Sequence, residues 1–140
     1  MKVGVVGAGA WGTAIARMLC KAGHSVVLWA YEPDVVEAVE QSHINAPYLP
    51  GILLPEGLAV TGRIEDAVAG RDLIVSASPS HVVRRVMAAA APAISGRPIV
   101  VSATKGIEGE TLLTMSEVLR EVLSPSLSEN VAVLSGPSFA

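Results

Sequence analysis

Residues 3–34, VGVVGAGAWGTAIARMLCKAGHSVVLWAYEPD, combine a short apolar run, a glycine-rich turn, a helical pattern and a second apolar run. The turn has the spacing GxGxxG and lies directly between a predicted strand and a predicted helix. In that context Gly7 allows a tight turn, Gly9 lets a pyrophosphate approach the backbone, and Gly12 lets the helix pack closely against the strand. The stretch therefore predicts a dinucleotide-binding turn, and the alternative is a strand-to-helix turn with spare glycines.

Further along the chain, apolar runs alternate with helical patterns. The predicted strands are 3–6, 26–29, 58–61, 73–77, 99–102 and 131–134, and the predicted helices are 11–22, 33–42, 64–69, 81–91 and 111–123. Because strands and helices alternate, we expect a parallel sheet with right-handed crossovers and helices on both faces. The predicted fold is α/β, a doubly wound Rossmann-type sheet in the order 3-2-1-4-5-6 within three αβα layers. Residues 45–55, which contain three prolines, are predicted to form an ordered surface loop.

Composition narrows the classes of function. The net charge of −3 is spread along the 140 residues without a basic run, so nucleic acid and anionic membranes are not expected partners. No apolar run reaches the length of a membrane span, and Met1 and Lys2 lead directly into a strand without a signal-peptide core. The single cysteine, Cys20, cannot form an internal disulfide. We therefore expect one cytoplasmic cofactor-binding domain over residues 1–140, and no spacing of ligand residues predicts a metal site.

The end of the second strand bears on the choice of cofactor. NAD-selective sites usually have an acidic residue there, which accepts a hydrogen bond from the adenosine ribose. In this chain Ala30 occupies that position and is followed by Tyr31 and Glu32, so the choice between NAD and NADP stays open. Tyr31 is either a flat platform for adenine or a tyrosine that closes the strand. Glu32 comes too late for that position and is interpreted as a negative charge at the start of the next helix.

Ligands of open α/β sheets bind outside the carboxyl ends of the strands. Besides the glycine turn, the segments expected there are 78–81, 103–106 and 135–138. Lys105 is the only lysine in the second half of the chain. A cation at this position would meet a phosphate or a developing alkoxide, and the alternative is a surface lysine.

Three other side chains near these segments are candidates of lower rank. His81 follows the fourth strand and could act as an acid or base, although a packing or hydrogen-bonding role is favoured in the first turn of a helix. Arg84 and Arg85 on the fourth helix are interpreted as a solvated face.

Six stretches, GAGAWGTAIA, HSVVLWAYEPD, NAPYLPG, PSHVVRRV, SATKGIE and SGPSFA, occur in this order along the chain. Together they resemble the amino-terminal half of bacterial NAD(P)-dependent glycerol-3-phosphate dehydrogenases. The resemblance implies reversible reduction of dihydroxyacetone phosphate to sn-glycerol 3-phosphate by NAD(P)H, for glycerophospholipid synthesis. It also implies that the proton-donating lysine belongs to a helical substrate domain beyond residue 140. The catalytic residue is therefore unknown here, and we expect this chain alone to turn over little or nothing.

The resemblance also assigns residues to the two ligands. Where the family commonly has serine, this chain has Ala10, which offers the phosphates its backbone N–H only. Where the family often has arginine or histidine, this chain has Tyr31 and Glu32, neither of which carries the cation that a 2′-phosphate needs. The turn and the resemblance together assign Gly7, Gly9, Ala10, Trp11, Gly12, Tyr31, Lys105 and Ala140 to the cofactor, and Lys105, Gly136 and Ser138 to the substrate.

Two alternatives share the glycine turn. One is another two-domain NAD(P)-dependent enzyme, a hydroxyacid or hydroxyacyl dehydrogenase acting on a different carbonyl. The other is a non-catalytic nucleotide-sensing module, which would need neither Lys105 nor the turn at 135–138. Residues 134–140 look like a strand that leads into a new helix, so we interpret the chain as a fragment or a piece cut at a domain edge. The expected protein partner is a second copy of the chain, in a homodimer formed through the missing domain.

Overall fold

The computed structural model describes residues 1–135. Six parallel strands form one sheet in the order β3-β2-β1-β4-β5-β6. The strands are β1 (Lys2–Val6), β2 (Ser25–Trp29), β3 (Ala59–Thr61), β4 (Leu73–Ser76), β5 (Ile99–Ser102) and β6 (Val131–Val133). The helices are α1 (Ala10–Lys21), α2 (Pro33–Ser42), α3 (Ile64–Val68), α4 (Ser80–Ala90), α5 (Met115–Val122) and α6 (Pro125–Ser128). The predicted doubly wound order is confirmed.

Apolar cores cover both faces of the sheet. Successive strand residues point to opposite faces, so Val5 belongs to one core and its neighbour Val6 to the other. The core around Val5 includes Ile15 of α1, whereas the core around Val6 includes Val83 of α4 and Leu119 of α5. Since helices pack on both faces, the three predicted layers are confirmed, and the carboxyl ends of the strands form one edge.

The fifth helix begins later than predicted. The pattern favoured 111–123, but α5 begins at Met115, because Thr114 and Glu117 form a capping box at its amino end. The residues before it form a turn closed by a bridge between Ile107 and Thr114, in which Leu112 adopts a left-handed conformation with φ of 60°. The predicted start of α5 is therefore wrong, and the residues concerned form the turn that follows Lys105, a predicted site residue.

The proline-containing loop, residues 45–55, has no helix or strand, as predicted. It is not wholly at the surface, however, because the side chains of Asn45 and Leu54 are buried. The Asn45 amide donates hydrogen bonds of 2.8 Å to the Ala8 carbonyl and 2.8 Å to the Thr13 hydroxyl. These hydrogen bonds therefore hold the loop against the glycine turn and the start of α1.

Candidate functional site

The three glycines of the turn differ in what surrounds them. Gly7 has φ of +121°, and a Cβ on it would lie 2.8 Å from the Ser78 backbone nitrogen. A Cβ on Gly12 would lie 1.9 Å from the Gly7 carbonyl oxygen, so α1 packs directly on the turn. A Cβ on Gly9 would have nothing within 4 Å. Gly7 and Gly12 are needed to build the turn, whereas Gly9 borders open space that a ligand can enter.

The amino end of α1 faces this space. Gly9 is the N-cap residue and its backbone is extended, with φ of −65° and ψ of 178°. A helix leaves its first N–H groups without intrahelical partners, and among the described residues no side chain caps α1. No acidic residue lies in its first turn. These donors and the positive end of the helix dipole therefore offer a place for an anion such as a pyrophosphate.

A cavity of about 590 Å³ brings together three of the predicted strand ends. Its lining includes Gly9 and Trp11 from the turn, residues 77–80 after β4, and Thr104 and Lys105 after β5. The Trp11 indole N–H donates a 3.1 Å hydrogen bond to the Ala103 carbonyl, and the residue as a whole is 52% exposed. Trp11 and Lys105, two of the predicted site residues, thus line one space. We call it the Lys105 cavity.

A second cavity, of about 260 Å³, lies on the other side of the glycine turn, towards β2. We call it the Tyr31 cavity, since the exposed Tyr31 ring lines it and meets Trp29 edge to face at 6.2 Å. Glu32, Tyr48, Arg85 and residues 7–9 also line it. Both cavities include Gly9. The two cavities therefore adjoin at the glycine turn.

His81 lines the Tyr31 cavity and is not among the residues lining the Lys105 cavity. The residue before it, Ser80, lines the Lys105 cavity instead. A catalytic role for His81 remains a prediction from the sequence.

Glu32 has a hydrogen-bond partner that the sequence analysis missed. It is the N-cap residue of α2, but its side chain makes no hydrogen bond to that helix. Instead its Oε1 accepts a 2.9 Å hydrogen bond from the Tyr48 hydroxyl. This hydrogen bond and the negative charge of Glu32 raise the pKa of Tyr48 above its usual value. The tyrosine therefore stays protonated at neutral pH and acts as the hydrogen-bond donor.

Arg84 does not belong to a solvated face, and that interpretation of the sequence is wrong. Its guanidinium makes two 2.8 Å hydrogen bonds to the carboxylate of Glu108 and a 2.8 Å ion pair with Glu121 of α5. Thr111 also donates a hydrogen bond to Glu108, whose side chain is only 14% exposed. Because Glu108 follows Lys105 by three residues, this ion-pair network ties the segment that carries Lys105 to α4 and α5.

The same ion-pair network shifts the pKa values of Glu108 and Arg84. Hydrogen bonds from Arg84 and Thr111 lower the pKa of Glu108 to about 2 and, reciprocally, the acidic partners raise the pKa of Arg84. A carboxylate with a lower pKa in the folded than in the unfolded state stabilises the fold above its unfolded pKa. That contribution is lost as the pH falls towards 2.

We expect Glu108→Gln to unfold at a lower temperature than the unmodified chain at pH 7, because the substitution removes the charge that Arg84 meets. The difference should shrink as the pH is lowered from about 4.5 to about 2, where the native Glu108 also becomes neutral. Thermal unfolding followed by circular dichroism checks this. Glu110→Gln, at an exposed carboxylate of the same segment, is the matched control. A difference from Glu108→Gln that does not depend on pH would contradict the argument.

Three predicted site residues, Gly136, Ser138 and Ala140, lie outside the described residues. Within residues 1–135 there is no group of three or more His, Cys, Asp and Glu side chains placed to hold a metal ion. In the same part of the chain, no helix is both long and apolar enough to cross a membrane.

A doubly wound parallel sheet whose central strand leads through GxGxxG into a helix defines the class of Rossmann-type α/β domains. Residues 2–140 match the sequence profile of the family described as "NAD-dependent glycerol-3-phosphate dehydrogenase N-terminus". Because the match covers nearly the whole chain, the chain belongs to this family.

Individual proteins with similar sequences or folds are also glycerol-3-phosphate dehydrogenases. The chain is 48% identical to a glycerol-3-phosphate dehydrogenase [NAD(P)+] of Geobacter sp. (strain M21), over 99% of this chain and 42% of that protein. It is 49% identical to the enzyme of the same name from Syntrophotalea carbinolica, over 100% of this chain and 42% of that protein. Its fold superposes on the crystal structure of glycerol-3-phosphate dehydrogenase from Coxiella burnetii with a TM-score of 0.81 at 32% identity, over 99% of this chain and 41% of that chain. The chain thus spans about 42% of the length of the curated relatives.

Proposed function

We propose that this chain is the cofactor-binding part of an enzyme that transfers hydride between NAD(P)H and dihydroxyacetone phosphate, giving sn-glycerol 3-phosphate. The observation that carries the proposal is the position of Lys105, which lines one cavity with Gly9 and Trp11 although their elements are far apart in sequence. A nucleotide-sensing module would not need a lysine there. The family match supports this substrate over another carbonyl compound.

The residues fit a dinucleotide in one orientation. The open side of Gly9 and the uncapped N–H groups of Ala10 and Trp11 would bind the pyrophosphate. Tyr31 would support the adenine in the Tyr31 cavity, and the nicotinamide would then enter the Lys105 cavity. When bound, NAD(P)H supplies the hydride for the reduction of the ketone.

Lys105 has two tasks in this proposal. Its ammonium group would attract the phosphate of the substrate, and it would stabilise negative charge that develops on the ketone oxygen. The Arg84, Glu108 and Glu121 network holds the segment that follows it, so the position of Lys105 does not depend on the substrate alone. Trp11 closes the cavity beside it through the hydrogen bond to Ala103.

Completion of the reaction would fall to a second part of the enzyme. The relatives extend well beyond the matched region, and a helical domain there would contribute the proton-donating lysine and the rest of the substrate pocket. Gly136 and Ser138 would bind substrate, and Ala140 cofactor, near the junction. In this proposal residues 1–140 form a domain that binds cofactor without sustained turnover, and the whole enzyme works in the cytoplasm.

Calorimetric titration of this chain with NADH is the first test. We expect saturable binding at one site, because residues 1–135 form the glycine turn, the uncapped helix end and the described lining of both cavities. Competition by NADPH then measures the preference between the two cofactors. An absence of NADH and NADPH binding by the folded chain would contradict the proposed cofactor site. Steady NADH oxidation by the chain with dihydroxyacetone phosphate would contradict the proposed division between two domains.

A further inference from the structure

The carboxylate of Glu32 is fixed at the end of β2, where the sequence showed no acidic residue in the expected position. Its backbone carbonyl accepts the first hydrogen bonds of α2, from Val35 and Val36 at 3.2 and 3.3 Å. Its side chain lines the Tyr31 cavity and is held at Oε1 by Tyr48. Among the described residues, no hydrogen bond to Oε2 is formed. One oxygen is thus positioned by the protein while the other remains an acceptor for a ligand.

Tyr48 is itself held in place by the proline-containing loop. Its backbone N–H and that of Leu49 donate to the Asn45 carbonyl at 3.3 and 2.7 Å. The buried Asn45 side chain in turn donates to the carbonyl of Ala8, inside the glycine turn. A chain of contacts therefore runs from the glycine turn through Asn45 and Tyr48 to the Glu32 carboxylate. The distance between the pyrophosphate position and Glu32 is set by the fold before any ligand binds.

The charge around Tyr48 is negative. Both Glu32 and the nearby Asp34 raise the pKa of the Tyr48 hydroxyl, with Glu32 contributing most. A hydroxyl group entering this region can donate a hydrogen bond to the carboxylate. A phosphate monoester, which carries nearly two negative charges at neutral pH, would be repelled.

The cationic side chain in the Tyr31 cavity comes from another element. Arg85 projects from α4 and is exposed. Within residues 1–135 it forms no ion pair, unlike its neighbour Arg84. In a doubly wound domain the adenosine ribose lies against the end of the second strand, which in this chain is the side of Glu32. Because β1 lies between β2 and β4 in the sheet, α4 approaches the cavity from the side opposite Glu32, and we therefore expect Arg85 to lie nearer the adenine than the ribose.

We infer that Glu32, positioned by Tyr48, makes this site selective for the ribose 2′-hydroxyl of NAD(H) over the 2′-phosphate of NADP(H). The inference rests on the proposed function, because it presumes that the Tyr31 cavity takes the adenosine half of the cofactor. Glu32 does in this chain what an acidic residue at the end of the second strand does in other NAD-selective sites. Glu32 comes two residues after Ala30, and its hydrogen bond with Tyr48 holds the side chain at the Tyr31 cavity.

The test compares ADP-ribose with 2′-phospho-ADP-ribose, which differ only in the 2′-phosphate and lack the nicotinamide. We expect the unmodified chain to bind ADP-ribose at least about tenfold more tightly by calorimetry. Glu32→Gln should reduce this ratio about tenfold, mainly by improving the affinity for 2′-phospho-ADP-ribose. Equal affinities for the two probes in the unmodified chain, or an unchanged ratio in Glu32→Gln, would overturn the inference. Binding of neither probe would instead count against the proposed cofactor site.

Three further variants distinguish the effect of Glu32 on cofactor selectivity from the effects of neighbouring side chains. Glu40→Gln removes an exposed charge from the same helix outside the Tyr31 cavity and should leave the ratio unchanged. Tyr48→Phe frees the carboxylate and should lower the ratio by less than Glu32→Gln does. An equal loss of affinity for both probes in Tyr48→Phe would show a merely structural tyrosine and overturn its positioning role. Arg85→Gln should weaken both probes equally, and a loss confined to 2′-phospho-ADP-ribose would contradict the placement of Arg85.

Discussion

Gly12→Ala is expected to lower the free energy of unfolding by about 3 kcal/mol and to abolish binding of NADH. The added Cβ would lie 1.9 Å from the carbonyl oxygen of Gly7 and 3.2 Å from the Cβ of Ala77. The first of these atoms is backbone, so no side-chain rotation relieves the overlap, and α1 must move away from β1. That movement would open the turn and displace the helix end from the phosphates.

Two other glycines provide the comparison. Gly9→Ala meets no atom within 4 Å and has an ordinary backbone conformation, so we expect a loss of about 1 kcal/mol from the weaker N-cap residue. Its methyl group would nevertheless occupy the space beside the pyrophosphate and lower NADH affinity at least about tenfold. Gly57→Ala, outside both cavities, should bind NADH normally. Urea unfolding of the three variants measures their stability, and NADH titration measures their cofactor affinity. A Gly12→Ala chain with unchanged stability would contradict the packing argument.

Lys105→Met is expected to reduce kcat/KM for dihydroxyacetone phosphate about 10³-fold, because under the proposed function it removes the positive charge that would meet the substrate in the Lys105 cavity. The measurement needs a complete enzyme. A chimera in which residues 1–140 replace the matching part of the Geobacter sp. (strain M21) relative provides one, since the two are 48% identical there. NADH affinity should fall much less, because the backbone donors of the glycine turn remain.

Lys21→Met in the same chimera is the control, since this exposed lysine ends α1 far from its amino-terminal turn. It removes the same charge and should leave kcat/KM within about twofold of the starting value. Retention of activity by Lys105→Met would contradict a role in substrate binding or charge stabilisation. It would then favour a surface lysine at this position.

The sequence predicted the sheet well because each strand carries its own local signal. Continuous apolar runs such as Val3–Val6 can be buried only when helices cover both faces, and the order of the strands follows from the βαβ crossovers. The helix that was misplaced, α5, had a readable signal as well. Thr114 and Glu117 have the spacing of a capping box, which marks the amino end of a helix. The apolar pattern extends back through Leu112, but the left-handed backbone of Leu112 does not belong to a helix.

The site was predicted only in part because some of its contacts join residues far apart in sequence. The glycine turn and Lys105 lie at strand ends, so topology alone places them at one edge. The hydrogen bond between Tyr48 and Glu32 spans 16 residues and depends on the shape of the proline-containing loop. The ion pair between Arg84 and Glu108 spans 24 residues and depends on the turn before α5. Neither loop conformation follows from composition or periodicity.

The strand order also constrains how the chain can fold as it is synthesised. β1 is made first but occupies the interior of the sheet, with Val3 paired to Val26 on one side and to Leu73 on the other. Once β2 has been synthesised, the unit β1-α1-β2 can form. The other edge of β1 has no partner strand until β4 has been synthesised. An unpaired apolar edge is a template for pairing with another chain. Between the synthesis of residues 29 and 73 the nascent chain therefore exposes an edge of β1 that another chain can pair with.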